Sequence, residues 1–308
     1  MARMPFVFAV ATIMAAGGAA NMRAEAADIP IKAPVRIEAA ASVVPYSGFY
    51  IGLGGGVATN RFGDQDVFAV GTSNVFTSGV LTSSGSASGP ANISMETKTS
   101  VAFSAQGGYF QRFAGSQFLW GAKFAYSYFD ATATTRNALL PQAGSFTPTG
   151  STTPVPFTGN ALVQSFQTSI VQQIAFMPFI GHAYDRGFIY LGAGPTVSQM
   201  RTDLIGVIGF ADLNGNRTDV SGAPVNLTST SWVWGGAATI GTTYFLDRNW
   251  FVDVNYTAGT TAKHTSNYFS PFTNPNGTNG SVITGTLVGT DTAKVLTQAV
   301  MVTINRAF

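Results

Sequence analysis

The sequence predicts an all-β protein: an eight-stranded antiparallel up-and-down transmembrane β-barrel. Three observations carry that prediction. Charged residues make up only 10% of the 308, against 12% aromatics and 35 glycines, whereas a soluble domain carries about a quarter charged residues. After the first twenty residues no apolar run reaches the ~18 that a spanning helix needs, which leaves strands as the way across a bilayer. Third, Val295 to Phe308 alternates with period two: Leu296, Val300, Val302, Ile304 and Phe308 share one phase, and Thr297, Ala299, Met301, Thr303 and Asn305 the other. Gln298 and Arg306 interrupt the apolar phase near the strand's ends, where water or headgroups are within reach.

Taken in order, the chain opens on Arg3 and an apolar core over Pro5–Ala20, followed by Ala24-Glu25-Ala26. A basic start, a short apolar core and small residues before a cleavage point read as a secretory signal over residues 1–26. Residues 27–45, with Pro30, Pro34 and Pro45, read as an extended periplasmic leader, and residues 46–308 as the barrel. Zero cysteines exclude disulfides, thiol catalysis and an N-terminal lipoprotein anchor. A formal net charge of +2 gives no support for a nucleic-acid partner.

Eight segments read as strands: Gly48–Ala58, Thr99–Arg112, Gln117–Phe129, Thr168–Ala183, Gly187–Gln199, Ser231–Leu246, Asn249–Ala262 and Lys294–Phe308. The connectors alternate in length. Those at about 59–98, 130–167, 200–230 and 263–293 are long, and those at 113–116, 184–186 and 247–248 are short. The short ones carry turn residues such as Ala114-Gly115, Asp185-Arg186-Gly187 and Asp247-Arg248-Asn249. Long extracellular loops and short periplasmic turns are the asymmetry of outer-membrane barrels, and a soluble sandwich has no reason to sort its loops this way.

The strand phases agree with one another. Phe118, Trp120, Phe124, Tyr126 and Tyr128 oppose Gly121, Lys123, Ala125 and Ser127, while Trp250, Val252, Val254 and Tyr256 oppose Asp253, Asn255 and Thr257. Trp232, Trp234, Ile240 and Tyr244 oppose Gly235, Thr239, Gly241 and Thr243. Aromatics gather near strand ends, as interfacial girdles require. In the fourth strand Gln172 shares a phase with Ile174, Phe176 and Ile180, which calls for a bulge or a position above the bilayer. A midplane Lys on the lipid face costs roughly 2–4 kcal/mol, so Lys123 and Asp253 are expected in the lumen. One polar network joining them, with Gln106 and Asn255 as neighbours, would plug the barrel. The alternative is that water and Thr or Gln groups satisfy each charge separately.

The leader Ala27-Asp28-Ile29-Pro30-Ile31-Lys32-Ala33-Pro34, the segment Tyr46-Ser47-Gly48-Phe49-Tyr50-Ile51-Gly52, the hairpin Tyr244–Trp250 and the terminal Phe308 resemble the small outer-membrane surface barrels of alphaproteobacteria. The resemblance covers both ends and the last hairpins. It implies an eight-stranded barrel in the outer membrane of a Gram-negative bacterium, with no enzymatic centre and no cofactor. It also implies lipid and lipopolysaccharide as neighbours, and the barrel assembly machinery as reader of Phe308. Thr243 departs from the family, many members of which have an acidic residue before the tyrosine of the sixth strand, so their interior charge network does not carry over.

Three segments raise other chemistry. His182 sits beside a short turn and reads as solvated. His264 and Ser266 resemble the His/Ser pair of lipid A deacylase barrels, in which Ser attacks an ester and His takes its proton. That chemistry also needs an acid to orient the His, and none occurs between Ser266 and Thr290. Asp212, Asn214, Asn216 and Asp219 place oxygen ligands at intervals like a calcium loop, but Arg217 stands where that loop turns on a glycine. The Ser/Thr/Gly/Asn-rich stretches Thr77–Pro90 and Asn274–Gly285 read as hydrated surface, open to an extracellular ligand. The expectation is a structural, surface-exposed barrel that supports the envelope. A narrow pore is the alternative and lipid A deacylation the third reading.

Overall fold

A computed structural model describes residues 44–213, 215–277 and 280–308. Residues 1–26, read above as a signal, and most of residues 27–45, read as a leader, lie outside these described residues.

Thirteen strands form: β1 (Ser47–Arg61), β2 (Asp64–Thr77), β3 (Val80–Ser94), β4 (Thr97–Arg112), β5 (Phe118–Pro148), β6 (Val155–Tyr184), β7 (Gly187–Leu213), β8 (Asn216–Asp219), β9 (Val225–Phe245), β10 (Trp250–Thr261), β11 (His264–Asn274), β12 (Val282–Ala293) and β13 (Leu296–Ala307). Eight of them pair in an unbroken antiparallel circuit: β1–β4–β5–β6–β7–β9–β10–β13, and β13 back to β1. Tyr50 opposite Ala307 and Arg61 opposite Leu296 mark the two ends of the closing ladder. A closed ring leaves no unpaired backbone edge in hydrocarbon, which is the condition for crossing it with strands.

The four long connectors are not loops, and here the sequence expectation needs correction. Residues 64–94 form the β2–β3 hairpin and residues 264–293 the β11–β12 hairpin, while β5, β6 and β7 run on to 31, 30 and 27 residues. A spanning strand needs only about 9–11 residues. At about 3.3 Å per residue, the excess carries these strands tens of ångströms past the ring. There they pair in the order β11–β12–β2–β3–β5–β6–β7–β9, making an outer lobe. The Ser- and Thr-rich composition reads as loop residue by residue. Its small alternating side chains fit a pleated ladder once a neighbouring strand is present, as β3 does between β2 and β5.

Sidedness inverts between the two parts. Around the ring the outward residues are apolar, with Ile51, Leu53, Val101, Phe103, Ile180, Leu191, Ile240 and Ile304 among the most exposed. Tyr244, Trp250 and Phe308 lie toward one rim, and Tyr128, Trp232 and Trp234 toward the other. Around the lobe many outward pairs are polar, such as Thr72 with Thr286 at 2.7 Å, Thr265 with Thr292 at 2.8 Å, and Asn92 with Asp66 at 2.9 Å, although Phe269 opposite Val288 is apolar. The lobe's interior instead packs Phe166, Ile170, Val163, Leu140, Leu204 and Leu227.

A row of unpaired residues lets one strand serve both environments. Asn137, Gln164 and Gly206 drop out of the ladders side by side on β5, β6 and β7. Asn137 and Gly206 have φ of +53° and +66°. Past this row the buried parity flips, so that Ala138 and Leu140, then Val163 and Ala161, then Val207 face inward. At the lower irregularity, between Ile170 and Gln172, the ladder also shifts. Gln172 there accepts from Tyr126 Oη at 2.6 Å and donates to Gln199 at 2.9 Å, which accounts for its place in an apolar phase.

Candidate functional site: the closed lumen

An eight-stranded ring has an interior just wide enough for side chains to fill it. Two layers do so. The first begins at Lys123 on β5 and Asp253 on β10, both buried. Lys123 Nζ lies 3.7 Å from Asp253 Oδ2 and donates to Tyr190 Oη at 2.9 Å. Tyr190 Oη donates in turn to Asp253 Oδ1 at 2.8 Å. Gln106 Nε2 donates to Asp253 Oδ2 at 3.1 Å, Thr303 Oγ1 at 2.8 Å and Asn305 Oδ1 at 2.8 Å, and Asn255 Nδ2 reaches Asp253 Oδ2 at 3.2 Å. Side chains from four strands, β4, β5, β7 and β10, thus meet at one carboxylate, and β13 joins them through Gln106. In a low-dielectric interior such a charge persists only when paired and hydrogen-bonded.

Glycines make the room. A Cβ added to Gly241 would stand 2.5 Å from the Tyr190 ring, and one on Gly108 would stand 2.7 Å from Tyr50 Oη. Without a side chain at those positions, each tyrosine can lie across the lumen.

The second layer is apolar and sits toward the short turns. Phe110, Leu119, Phe188, Phe245 and Phe251 are almost fully buried. Phe245 stacks on Phe251 at 4.8 Å, Phe110 tilts against Phe188 at 5.3 Å, and Tyr50 meets Phe251 edge-on at 5.3 Å. A cavity of about 40 Å³ remains above the charged layer, lined in part by Ser104, Gln106, Lys123 and Asn255.

The lumen network therefore includes Tyr190, Thr303 and Asn305 besides Lys123, Asp253, Gln106 and Asn255. Tyr190 shares the inward phase with Phe188, Gly192 and Gly194, and Thr303 and Asn305 share it with Met301. That phase was the available signal for all three.

The structure brings Ser266 and Asp291 together. They are directly opposed in the β11–β12 ladder, and both are buried. The Asn- and Gly-rich turn after Thr273 was the clue that residues 264–274 fold back on 282–293. Acid–His–Ser order is nevertheless not formed. His264 lies two residues from Ser266 along the strand, roughly 6–7 Å away, and His264 Nε2 has no hydrogen-bond partner. Asp291 Oδ2 lies 3.4 Å from Thr202 Oγ1 and Oδ1 has no hydrogen bond. Burial, reinforced by the charge of Asp66, pushes the Asp291 carboxyl up to about 7, against the opposing effect of the Thr202 hydroxyl.

The residues spaced like a calcium loop fall on a hairpin and the turn after it. Asp212 and Asn216 belong to the β7–β8 hairpin, with Asp212 paired to Arg217 and the turn made at Gly215 (φ +80°). Asn214 lies outside the described residues. Asp219 Oδ1 accepts from the amides of Ser221 and Gly222, each at 3.0 Å, so it closes a turn rather than facing a cation. Among the described residues no three of His, Asp or Glu come together as a metal-holding group. His182 is exposed and meets the Phe118 ring edge-on at 5.1 Å. Phe308 is exposed, its amide donates to the Phe49 carbonyl at 2.8 Å, and the Arg306 guanidinium lies 5.3 Å from its ring centre.

No family model and no curated protein matches the sequence. Among solved structures the chain is similar to the outer membrane protein OprG from Pseudomonas aeruginosa, at 10% identity and a TM-score of 0.34 over 87% of this chain and 99% of that one. It is also similar to the attachment invasion locus protein Ail of Yersinia pestis, at 9% identity and a TM-score of 0.22, covering 78% of this chain and 98% of that one. A third is the outer membrane protease OmpT from Escherichia coli, at 10% identity and a TM-score of 0.25, over 85% of this chain and 97% of that one. At such identities and scores the likeness carries no functional argument.

Proposed function

We propose that this chain is a surface-exposed outer-membrane barrel of a Gram-negative bacterium, with a closed lumen and a structural role in the envelope. The double closure of the lumen carries this reading: a charged layer around Asp253 stands above an apolar layer of four phenylalanines and Leu119. The apolar belt between aromatic rims supports a position in lipid, and the Ser/Thr face of the lobe supports exposure to water. Lipid and lipopolysaccharide would then surround the ring, and the lobe would present the contact surface to the exterior.

Single-channel recording in planar bilayers tests the reading. The expected result is no stepwise conductance from folded protein, and a steady ohmic current would overturn it in favour of the narrow pore. The cavity above the charged layer, lined in part by Ser104, Gln106, Lys123 and Asn255, is the observation that favours that second reading. We propose further that the protein is not an enzyme, since Ser266 faces Asp291 without an intervening histidine. Release of an acyl chain from lipid A that disappears in Ser266→Ala would refute this.

A further inference from the structure

The outer lobe has a lumen of its own, and it is chemically unlike the barrel's. Near the lobe's tip a cavity of about 90 Å³ is walled by Phe157, Phe210, Phe272, Val207, Val225 and Leu287. A smaller one of about 20 Å³ adjoins it, sharing Ala161, Val207 and Leu287, and continues the apolar lining past Leu140, Leu204 and Leu227. Three of the six polar side chains at the larger cavity are engaged with partners, and Ser73, Ser86 and Asn160 complete its polar lining. Gln142 Nε2 donates to the Pro141 carbonyl at 3.1 Å, Ser221 Oγ accepts from Gly209 N at 2.6 Å, and Thr72 bonds Thr286 at 2.7 Å. The wall is nonetheless mostly apolar, and cavities so lined take apolar guests.

The lobe's wall has an interruption beside this cavity. Among the described residues β9 and β11 form no ladder with each other, although β7 and β12 pair their other edges. Below the gap the Ala262 amide donates to the Trp234 carbonyl at 2.7 Å, and above it Gly222 packs against Asn274. Val225 on β9 and Phe272 on β11 flank the gap and also line the cavity. β9 and β11 meet here without a ladder, so a guest that parts them breaks no strand pairing.

We propose that the outer lobe binds a small apolar molecule, a single ring or a short alkyl chain with no group that needs a hydrogen bond. An enclosed site for one benzene ring measures on the order of 150 Å³. The guest therefore fills the cavity and extends toward the gap between Val225 and Phe272.

Bromobenzene is a suitable probe because bromine can be located directly. Crystals of the full chain soaked in it should show an anomalous peak among Phe157, Phe210 and Phe272. Ala161→Phe, which fills the floor shared by both cavities, should remove that peak while the protein keeps its heat-modifiable folded form. Leu287→Trp offers the same test from the opposite wall if Ala161→Phe does not fold. No peak in the wild-type cavity, bromine only along the apolar belt, or a peak that persists in both filled variants would overturn the proposal. The outcome is independent of lumen conductance, so it stands or falls apart from the structural reading of the barrel.

Discussion

Lys123 and Asp253 start on strands that are not neighbours in the ring, yet their charged ends lie 3.7 Å apart, with the Tyr190 hydroxyl bonded to both. The lysine and the carboxylate, both buried, each depend on the other for compensation. Removing one leaves the other stranded, which in buried pairs costs about 3–5 kcal/mol.

Lys123→Met and Asp253→Asn should each lower stability by about that amount in urea unfolding from lipid vesicles. The double variant should lose less than the sum of the two, because neither charge is then stranded. Single variants within about 0.5 kcal/mol of wild type would show that the pair is solvated rather than buried.

Opening the charged layer should not open the barrel. Lys123→Ala removes the ammonium, but Phe110, Phe188, Phe245 and Phe251 still close the lumen beneath it. If the charged network alone plugged the barrel, Lys123→Ala would raise conductance, and the phenylalanine layer reverses that expectation. Planar-bilayer recordings should find Lys123→Ala as silent as wild type, and a current only when Phe110→Ala and Phe188→Ala are added. Conductance in Lys123→Ala alone would mean that the aromatic layer does not seal.

Asp291 should make the lobe weaker as pH rises. Its folded carboxyl titrates near 7, above its ordinary value of 3.8, so folding favours the protonated form. The resulting stabilisation is complete below about pH 4 and is lost as pH rises through about 7, a change on the order of 4 kcal/mol. Hydrogen exchange of the β11–β12 hairpin should therefore quicken between about pH 4 and 7 and level off above that, after correction for intrinsic rates, and Asp291→Asn should abolish that trend. Equal protection of the wild-type hairpin across this range would refute the assignment.

Protease access should follow hairpin tips rather than whole connectors. Residues 62–98 and 262–295 are mostly paired strand, so proteinase K on intact cells should cut near Ser78–Gly79, 149–154, 220–224 and 275–281. Sites at Asp185 and Asp247 should stay uncut until the membrane is permeabilised. Early cleavage there would invert the topology.

The eight ring strands, their inward and outward faces and the short turns were legible in the sequence. A two-residue period bounded by lipid on one side and a narrow lumen on the other leaves each position little choice. The inward phase of Lys123 and Asp253 followed from the cost of a charge in hydrocarbon. Strand content in residues 64–94 and 264–293 was not legible, because Ser, Thr and Gly favour a ladder only once a partner is alongside. Nor could the sequence give the parity flips at Asn137, Gln164 and Gly206, since an unpaired residue is defined by the strands on either side of it.

Period and composition thus determined that this chain can close a ring through lipid, because those properties belong to each strand by itself. Only the tertiary structure decided that Tyr190 joins Lys123 to Asp253, that Ser266 faces Asp291, and that the lobe encloses an apolar cavity. Each of these depends on register between strands far apart in sequence, and a shift of one residue would turn every one of those side chains to the opposite face.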